Sequence, residues 1–506
     1  MNLLSSTYIF SFYTLLSRLL GYFRDILIAS FLGASIYADA FFVAFRLPNT
    51  FRRLFAEGVF NAAFIPSYTD ANTLGKKVSK KFADDVLNLL LIILLFIVLI
   101  VEIFTPTLVY LIAPGFDNDP EKFNLAVQLT KITFPFLLFV SLSSFFSAIL
   151  NTKNKFAAAA AAPIILNIFL ILSLFISYQF DKQFEYNLSY AVTFAGLFQL
   201  IFLIFVTKKY YKPNISFQIS LNPRVKFFFS KLLPSIFSSG VTQINILVGT
   251  IIASFEAGAV SYLYYADRVY QINLAIAGIA VGTVTLPKLS KIIKIGNKNK
   301  IDTLQNRSLE LSLLLSIPAA FGLVLASEEI INALFGYGSF GVKDIKLAAS
   351  ALYYFGLGVP AFSLIKVLSN FFFARNNTII PFYISCFTVI LNVSISVLFF
   401  KDIGFVIIPI ATSISTWLAV VIYLLLLFRK KYFKIFNNFF FNMLKIFSSV
   451  ILMSFSLVSL IKFFEDKLIY HNFYKSFYLV MIVLICAAIY LLTVRILGLL
   501  KNKNFN

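Results

Sequence analysis

Five arginines and three carboxylates stand within the first two long apolar stretches of this 506-residue chain. Residues 17–25 read SRLLGYFRD, and residues 37–58 read YADAFFVAFRLPNTFRRLFAEG. The charged positions are Arg18, Arg24, Asp25, Asp39, Arg46, Arg52, Arg53 and Glu57. Ionisable groups inside apolar spans are costly and usually face a bundle interior or an aqueous cavity. Arginine carries a planar fork of donors that fits phosphate oxygens two at a time. An excess of arginine over acid therefore points to an anionic, phosphate-bearing ligand. Helical phase sorts the set further. Asp39, Arg46 and Arg53 are spaced by seven and lie along one stripe, Arg53 and Glu57 can pair at i,i+4, and Arg18 and Asp25 share a face. The competing reading is structural: interhelical ion pairs, with Arg52 and Arg53 reaching back to the interface. Pro48 removes a backbone hydrogen bond from the second span and predicts a kink there.

The elements that hold these charges are membrane spans. The chain is 60% hydrophobic and only 13% charged, with a mean hydropathy of +0.88. Apolar runs near the ~20 residues needed to cross a bilayer recur from end to end. The runs are continuous rather than alternating, so an all-α polytopic membrane protein is expected, with about fourteen transmembrane helices between residues 5–31 and 475–499. Loop charge orients them. With the N-terminus cytoplasmic, the inside loops carry Lys76, Lys77, Lys80 and Lys81, then Lys153 and Lys155, Lys208, Lys209 and Lys212, the lysines from 288 to 300, and Arg429 to Lys434. The opposite loops are richer in acids, among them Asp117, Asp119, Glu121, Glu256 and Glu328. This segregation follows the positive-inside rule and makes both termini cytoplasmic. The same bias explains the net charge of +21 without nucleic acid as a partner. Cys386 and Cys486 lie in apolar stretches and His471 in a polar loop, so neither a disulfide framework nor a metal site is expected. Arg18 and Arg24 interrupt the first apolar run, and no small-residue cleavage site follows it, which argues against a signal peptide.

The second half echoes the first. Pro135 through Asn167 matches Pro360 through Asn392 in spacing, both stretches ending in a Leu-Asn pair, and Tyr37-Ala38-Asp39 resembles Tyr265-Ala266-Asp267. The offset stays near 225 residues, which describes a parallel repeat of two six-helix lobes around a central cavity. The domains on this reading are an N-terminal lobe at 1–212, a cytoplasmic connector at 213–225, a C-terminal lobe at 226–434 and two further helices at 435–506. Asp267 and Arg268 supply a charge pair from the second lobe, and Lys131 and Lys366 add further cations. The six-alanine run at 157–162 reads as a close-packed helix start. The sequence has no Walker A motif, no HExxH and no GxSxG elbow. A transporter driven by membrane potential or an ion gradient, with no cofactor, is expected rather than an enzyme.

These residues resemble the MurJ (MviN) family of lipid II flippases, within the multidrug/oligosaccharidyl-lipid/polysaccharide exporter superfamily. The resemblance covers essentially the whole chain and is strongest at SRLLGYFRD (17–25), ADAFFVAFRLPNTFRRLFAEGVFNAAFIP (38–66), APGF (113–116), KITFPF (131–136), AILNT (148–152) and YYADRVYQ (264–271). It implies fourteen helices and transport of undecaprenyl-diphosphate-linked peptidoglycan precursor from the cytoplasmic to the periplasmic leaflet of the bacterial inner membrane. It further implies that Arg18, Arg24, Arg52 and Arg268 bind the substrate, that Asp25, Asp39, Asp267 and Glu57 act as gates or charge partners, and that the last two helices form a groove for the lipid tail. Lipid II and the bilayer are the implied partners, with the cell-wall synthesis machinery beside them. One departure is Asn273, where the family commonly has a proline, so the kink expected there is in question. Gln243 and Asn392 are polar candidates for an ion site, with ordinary interhelical hydrogen bonding as the other reading. A sister transporter moving another lipid-linked oligosaccharide is the alternative function.

Overall fold

The computed structural model describes residues 3–54, 60–180, 182–216 and 220–499, which among themselves form helices and connecting turns with no strand. Helices follow from composition, because a backbone in hydrocarbon must satisfy its own hydrogen bonds. Nine stretches among the described residues are long and apolar enough to cross a membrane. The expected number of about fourteen is higher for two physical reasons. The arginine-bearing first and second helices and the spans expected at 226–254 and 259–287 fall outside that set, and Ile379–Arg429 counts once although Gly404, at φ 76°, turns the chain between two helices that pack on each other.

The chain forms two compact units, Met1–Val260 and Ser261–Asn506. The first holds α1 (Leu3–Leu32), α2 (Ile36–Leu54), α3 (Phe60–Thr73), α4 (Lys76–Ile103), α5 (Thr105–Ile112), α6 (Pro120–Thr133), α7 (Phe136–Thr152), α8 (Phe156–Gln179), α9 (Phe184–Thr207) and α10 (Pro223–Ala253). Pro48 lies inside α2 without ending it. Helix α1 packs on α8, α8 on α9, α7 on α9 and α4, and α2 on α6. Phe60, Phe64, Phe82, Phe145 and Phe228 are buried together on α3, α4, α7 and α10, ring against ring. Edge-to-face contacts of this kind add to the area buried by each ring.

The second unit follows with α11 (Ala259–Leu274, which starts just before the boundary), α12 (Ala280–Ile295), α13 (Lys298–Leu325), α14 (Ser327–Phe335), α15 (Val342–Phe373), α16 (Ile379–Ile403), α17 (Ile407–Arg429), α18 (Asn437–Phe463), α19 (Glu465–Leu468) and α20 (Lys475–Ile496). A π-helical segment, Ala275–Ile279, separates α11 from α12. The helix is thus irregular directly after Asn273 without the proline, and π segments inside helices mark functional positions often enough to be informative. Helices α18 and α20 pack as a pair, with α18 against α13.

Each unit repeats the same internal contacts. In the first, α7 and α8 pack on α9, and α4 on α7; in the second, α15 and α16 pack on α17, and α13 on α15. The repeat extends to single side chains. Asn88 of α4 donates to the Asn214 carbonyl (3.0 Å) and accepts from the Ser216 amide (3.1 Å). Asn306 of α13 likewise donates to the Lys434 carbonyl (2.7 Å) and accepts from the Phe436 amide (3.2 Å). Beside Asn88, the buried Tyr211 hydroxyl donates to Asp84 at 2.6 Å; burial, then that bond, pushes the phenol well above its ordinary range. The start of the connector is therefore strapped to α4, and α10 beyond it packs on α2, α3, α4 and α5. The repeat divides the chain at 213–225 by duplication, whereas packing divides it after Val260.

Candidate functional site

Arg24 and Asp25 lie two-thirds of the way along α1, where it crosses α8. Both are buried, at 6% and 1% exposure. The Arg24 guanidinium turns back on its neighbour, with Nε at 3.0 Å and Nη2 at 2.7 Å from Asp25 Oδ1. Its Nη1 donates to Asn167 Oδ1 at 2.9 Å, and the amide nitrogen of Asn167 donates to the Ser17 carbonyl at 2.9 Å. Asn167 thus brackets α1 at two points, one turn either side of Gly21, where a Cβ would sit 3.6 Å from Asn167 Oδ1. Helical spacing places Asp25 with Arg18; the observed partner is the adjacent Arg24. Adjacent residues do not face each other on a helix, and it is the length of the arginine side chain that closes the gap. In the sequence Asn167 stands out only as a marker of the repeat, through its recurrence as Asn392.

Asp39, at the start of α2, is fully buried and forms a second ion pair. Its Oδ2 accepts from Lys122 Nζ at 2.7 Å and from the Gly258 amide at 2.9 Å. The stripe through Arg46 and Arg53 suggested one of those as its partner, but periodicity orders one helix and says nothing of a lysine on α6. Lys122 had the look of a scattered loop lysine. Its ammonium also lies 4.1 Å from the centre of the Phe116 ring. Phe116 closes the APGF motif, and Gly115 within it donates to Ser254 Oγ at 2.9 Å. A Cβ on Gly115 would stand 2.4 Å from the Ser254 carbonyl, so no other residue fits. Gly258 adopts φ 77°, a conformation suited to glycine. The motif, the buried ion pair and the turn after α10 therefore make one closed assembly within the first unit.

The remaining expected residues each have their own surroundings. Arg18 is exposed on α1 and has no hydrogen bond or ion pair among the described residues. Arg52 is half-buried and donates from Nε to Asn49 Oδ1 at 3.0 Å. Arg268, half-buried on α11, donates from Nη2 to the Tyr264 hydroxyl at 2.8 Å, its guanidinium 4.9 Å from that ring's centre. Asp267 accepts a hydrogen bond from Gln271. Lys131 and Lys366 are exposed. Glu57 lies outside the described residues. Asn392 donates to Thr412 Oγ1 at 2.9 Å and accepts from Ser396 at 3.1 Å, which fits interhelical bonding. No group of His, Cys, Asp and Glu that could hold a metal ion occurs among the described residues.

These features have relatives. The family model described as "Lipid II flippase MurJ" matches residues 28–484. A probable lipid II flippase MurJ of Rhizobium meliloti (strain 1021) is 41% identical, covering 80% of this chain and 76% of its own. One from Buchnera aphidicola subsp. Baizongia pistaciae (strain Bp) is 33% identical across 99% of this chain and 98% of its own. A solved lipid II flippase MurJ in an inward closed conformation aligns at TM-score 0.81 and 28% identity over 97% of this chain and 98% of its own. A multidrug resistance MATE family transporter of the MOP superfamily, inward-facing, aligns at TM-score 0.67 and 15% identity over 86% of this chain and 95% of its own, a likeness of fold.

Proposed function

The chain belongs to the MurJ family of lipid II flippases, multi-pass membrane transporters rather than enzymes, and from that premise we propose how its own residues carry lipid II from the cytoplasmic to the periplasmic leaflet by alternating access. Arg18, Arg24, Arg52 and Arg268 bind the diphosphate and its sugar-peptide head group. The observation that carries this reading is the buried Arg24 guanidinium, held between Asp25 and Asn167. A buried charge is tolerated when paired and hydrogen-bonded. Asp25 keeps the cation neutralised while no substrate is bound. An arriving diphosphate offers several anionic oxygens in place of one carboxylate and takes over the guanidinium, with Asn167 holding its other edge.

Asp39 and Lys122 serve as a gate on the side opposite the termini. Their pair is fully buried with α2, α6 and the turn after α10, so parting these elements exposes two unpaired charges. That penalty keeps the assembly shut until binding energy offsets it. Asp267 and Glu57 act as charge partners of the neighbouring arginines. The direction of transport agrees with a membrane potential as the driving force. Each elementary charge moved across the whole field is worth about 2.3 kcal/mol per 100 mV, and an interior-negative potential favours outward movement of a diphosphate. The loop lysines support insertion in the bacterial inner membrane with both termini cytoplasmic. The cell-wall synthesis machinery receives the product.

Depletion of a host's own flippase followed by expression of this chain tests the reading. Wild type restores lipid II to the outer leaflet, whereas Arg24→Ala and Arg268→Ala do not. Failure of wild type with lipid II, together with transport of another lipid-linked oligosaccharide, would favour the sister-transporter alternative; normal transport by both variants would remove the arginines from the site.

A further inference from the structure

We propose that the first unit carries a separate site for the phosphate of an anionic phospholipid at the ends of α1, α8 and α9. A cavity of about 350 Å³ opens there, within the range of small-molecule pockets. Ile9, Ala157 and Val206 supply apolar walls, and Lys155, Lys209 and Tyr210 supply the polar ones. No carboxylate lines it among the described residues. Lys155 and Lys209 are exposed and make no ion pair or side-chain hydrogen bond among the described residues. The six-alanine run now has a local consequence, since methyl side chains on the first turn of α8 leave the space open.

The second unit carries the same turn with an arginine at it. The turn after α7 bonds the Lys153 and Lys155 amides to the Leu150 carbonyl and the Asn154 amide to the Asn151 carbonyl, with Asn154 at φ 57°. The turn after α15 bonds the Arg375 and Asn377 amides to Phe372 and the Asn376 amide to Phe373, with Asn376 also at φ 57°. There Arg375 bridges the turn to the segment after α17, donating to the Phe371 and Tyr432 carbonyls at 2.6 and 2.9 Å and lying 4.5 Å from the Tyr432 ring centre. In the first unit the matching cation, Lys153, lies over Tyr68, 5.6 Å from the ring centre. Lys155 at this turn and Lys209 at the end of α9 have no protein acceptor among the described residues. Basic pockets between helices on the cytoplasmic side suit lipid head groups. The site rests on the cytoplasmic placement of the termini but not on the arginines that bind lipid II.

The purified, delipidated full chain is titrated by native mass spectrometry with phosphatidylglycerol, phosphatidylcholine and inorganic phosphate. Wild type retains one phosphatidylglycerol about 10- to 30-fold more tightly than Lys155→Ala/Lys209→Ala, a loss expected for two lysines at an anionic lipid. Lys155→Arg/Lys209→Arg and the distant Lys76→Ala/Lys77→Ala bind like wild type, and phosphatidylcholine does not separate the variants. The proposal is overturned if the alanine pair binds phosphatidylglycerol like wild type, if the distant pair loses as much, or if inorganic phosphate alone binds as tightly. Flipping of lipid II, read separately, can succeed or fail independently.

Discussion

Asn167 on α8 and Asn392 on α16 occupy matching places in the two halves, yet they do different work. Asn167 holds an arginine and pins the backbone of α1. Among the described residues Asn392 holds hydroxyls, those of Thr412 and Ser396. One scaffold thus occurs twice, and at this position an ion pair was built against the asparagine in one copy only. Where the amide meets a charge, the bond is charge-assisted and stronger; where it meets a hydroxyl, it is an ordinary interhelical bond worth about 0.6 kcal/mol on average in a membrane.

Mutations can break this contrast at graded cost. The largest effect is expected for Arg24→Ala, which lowers appearance of lipid II in the outer leaflet at least ~100-fold; Arg24→Lys stays nearly as low, because an ammonium cannot reproduce the forked geometry. Next comes Asp39→Ala. It strands the buried Lys122 ammonium and should cost about 3–5 kcal/mol, read by thermal unfolding in detergent, while Asp39→Ala combined with Lys122→Met recovers most of the loss. Asn167→Ala is expected to cost about 1–3 kcal/mol, because a guanidinium edge loses its acceptor, and to slow flipping about tenfold. The smallest change is Asn392→Ala, about 0.5–1.5 kcal/mol in stability with flipping unchanged. Equal flipping defects at Asn167 and Asn392 would erase the difference between the halves.

The sequence made the membrane architecture legible because apolar runs and loop charges are properties of single segments. The arginine cluster was legible for the same reason: a charge in an apolar run is conspicuous whatever it touches. Partnership was not. Asp39 was read with Arg46 and Arg53 from its period of seven, but its partner comes from another helix, and Lys122 looked like one more lysine beside Asp119 and Glu121. Asp25 was read with Arg18, although the long arginine beside it folds back. Asn167 carries no charge and draws no attention until α8 is laid on α1. The sequence shows 213–225 only as a cytoplasmic connector, because Asn88 and Asp84, which fasten its start, lie more than a hundred positions away from their partners.

The most direct test of the arginine site is the dissociation constant of lipid II for the purified full chain, measured for wild type, Arg24→Ala and Asn392→Ala under one salt condition. The account predicts at least tenfold weaker binding for Arg24→Ala and no change for Asn392→Ala. Wild-type affinity in the Arg24→Ala protein would contradict it.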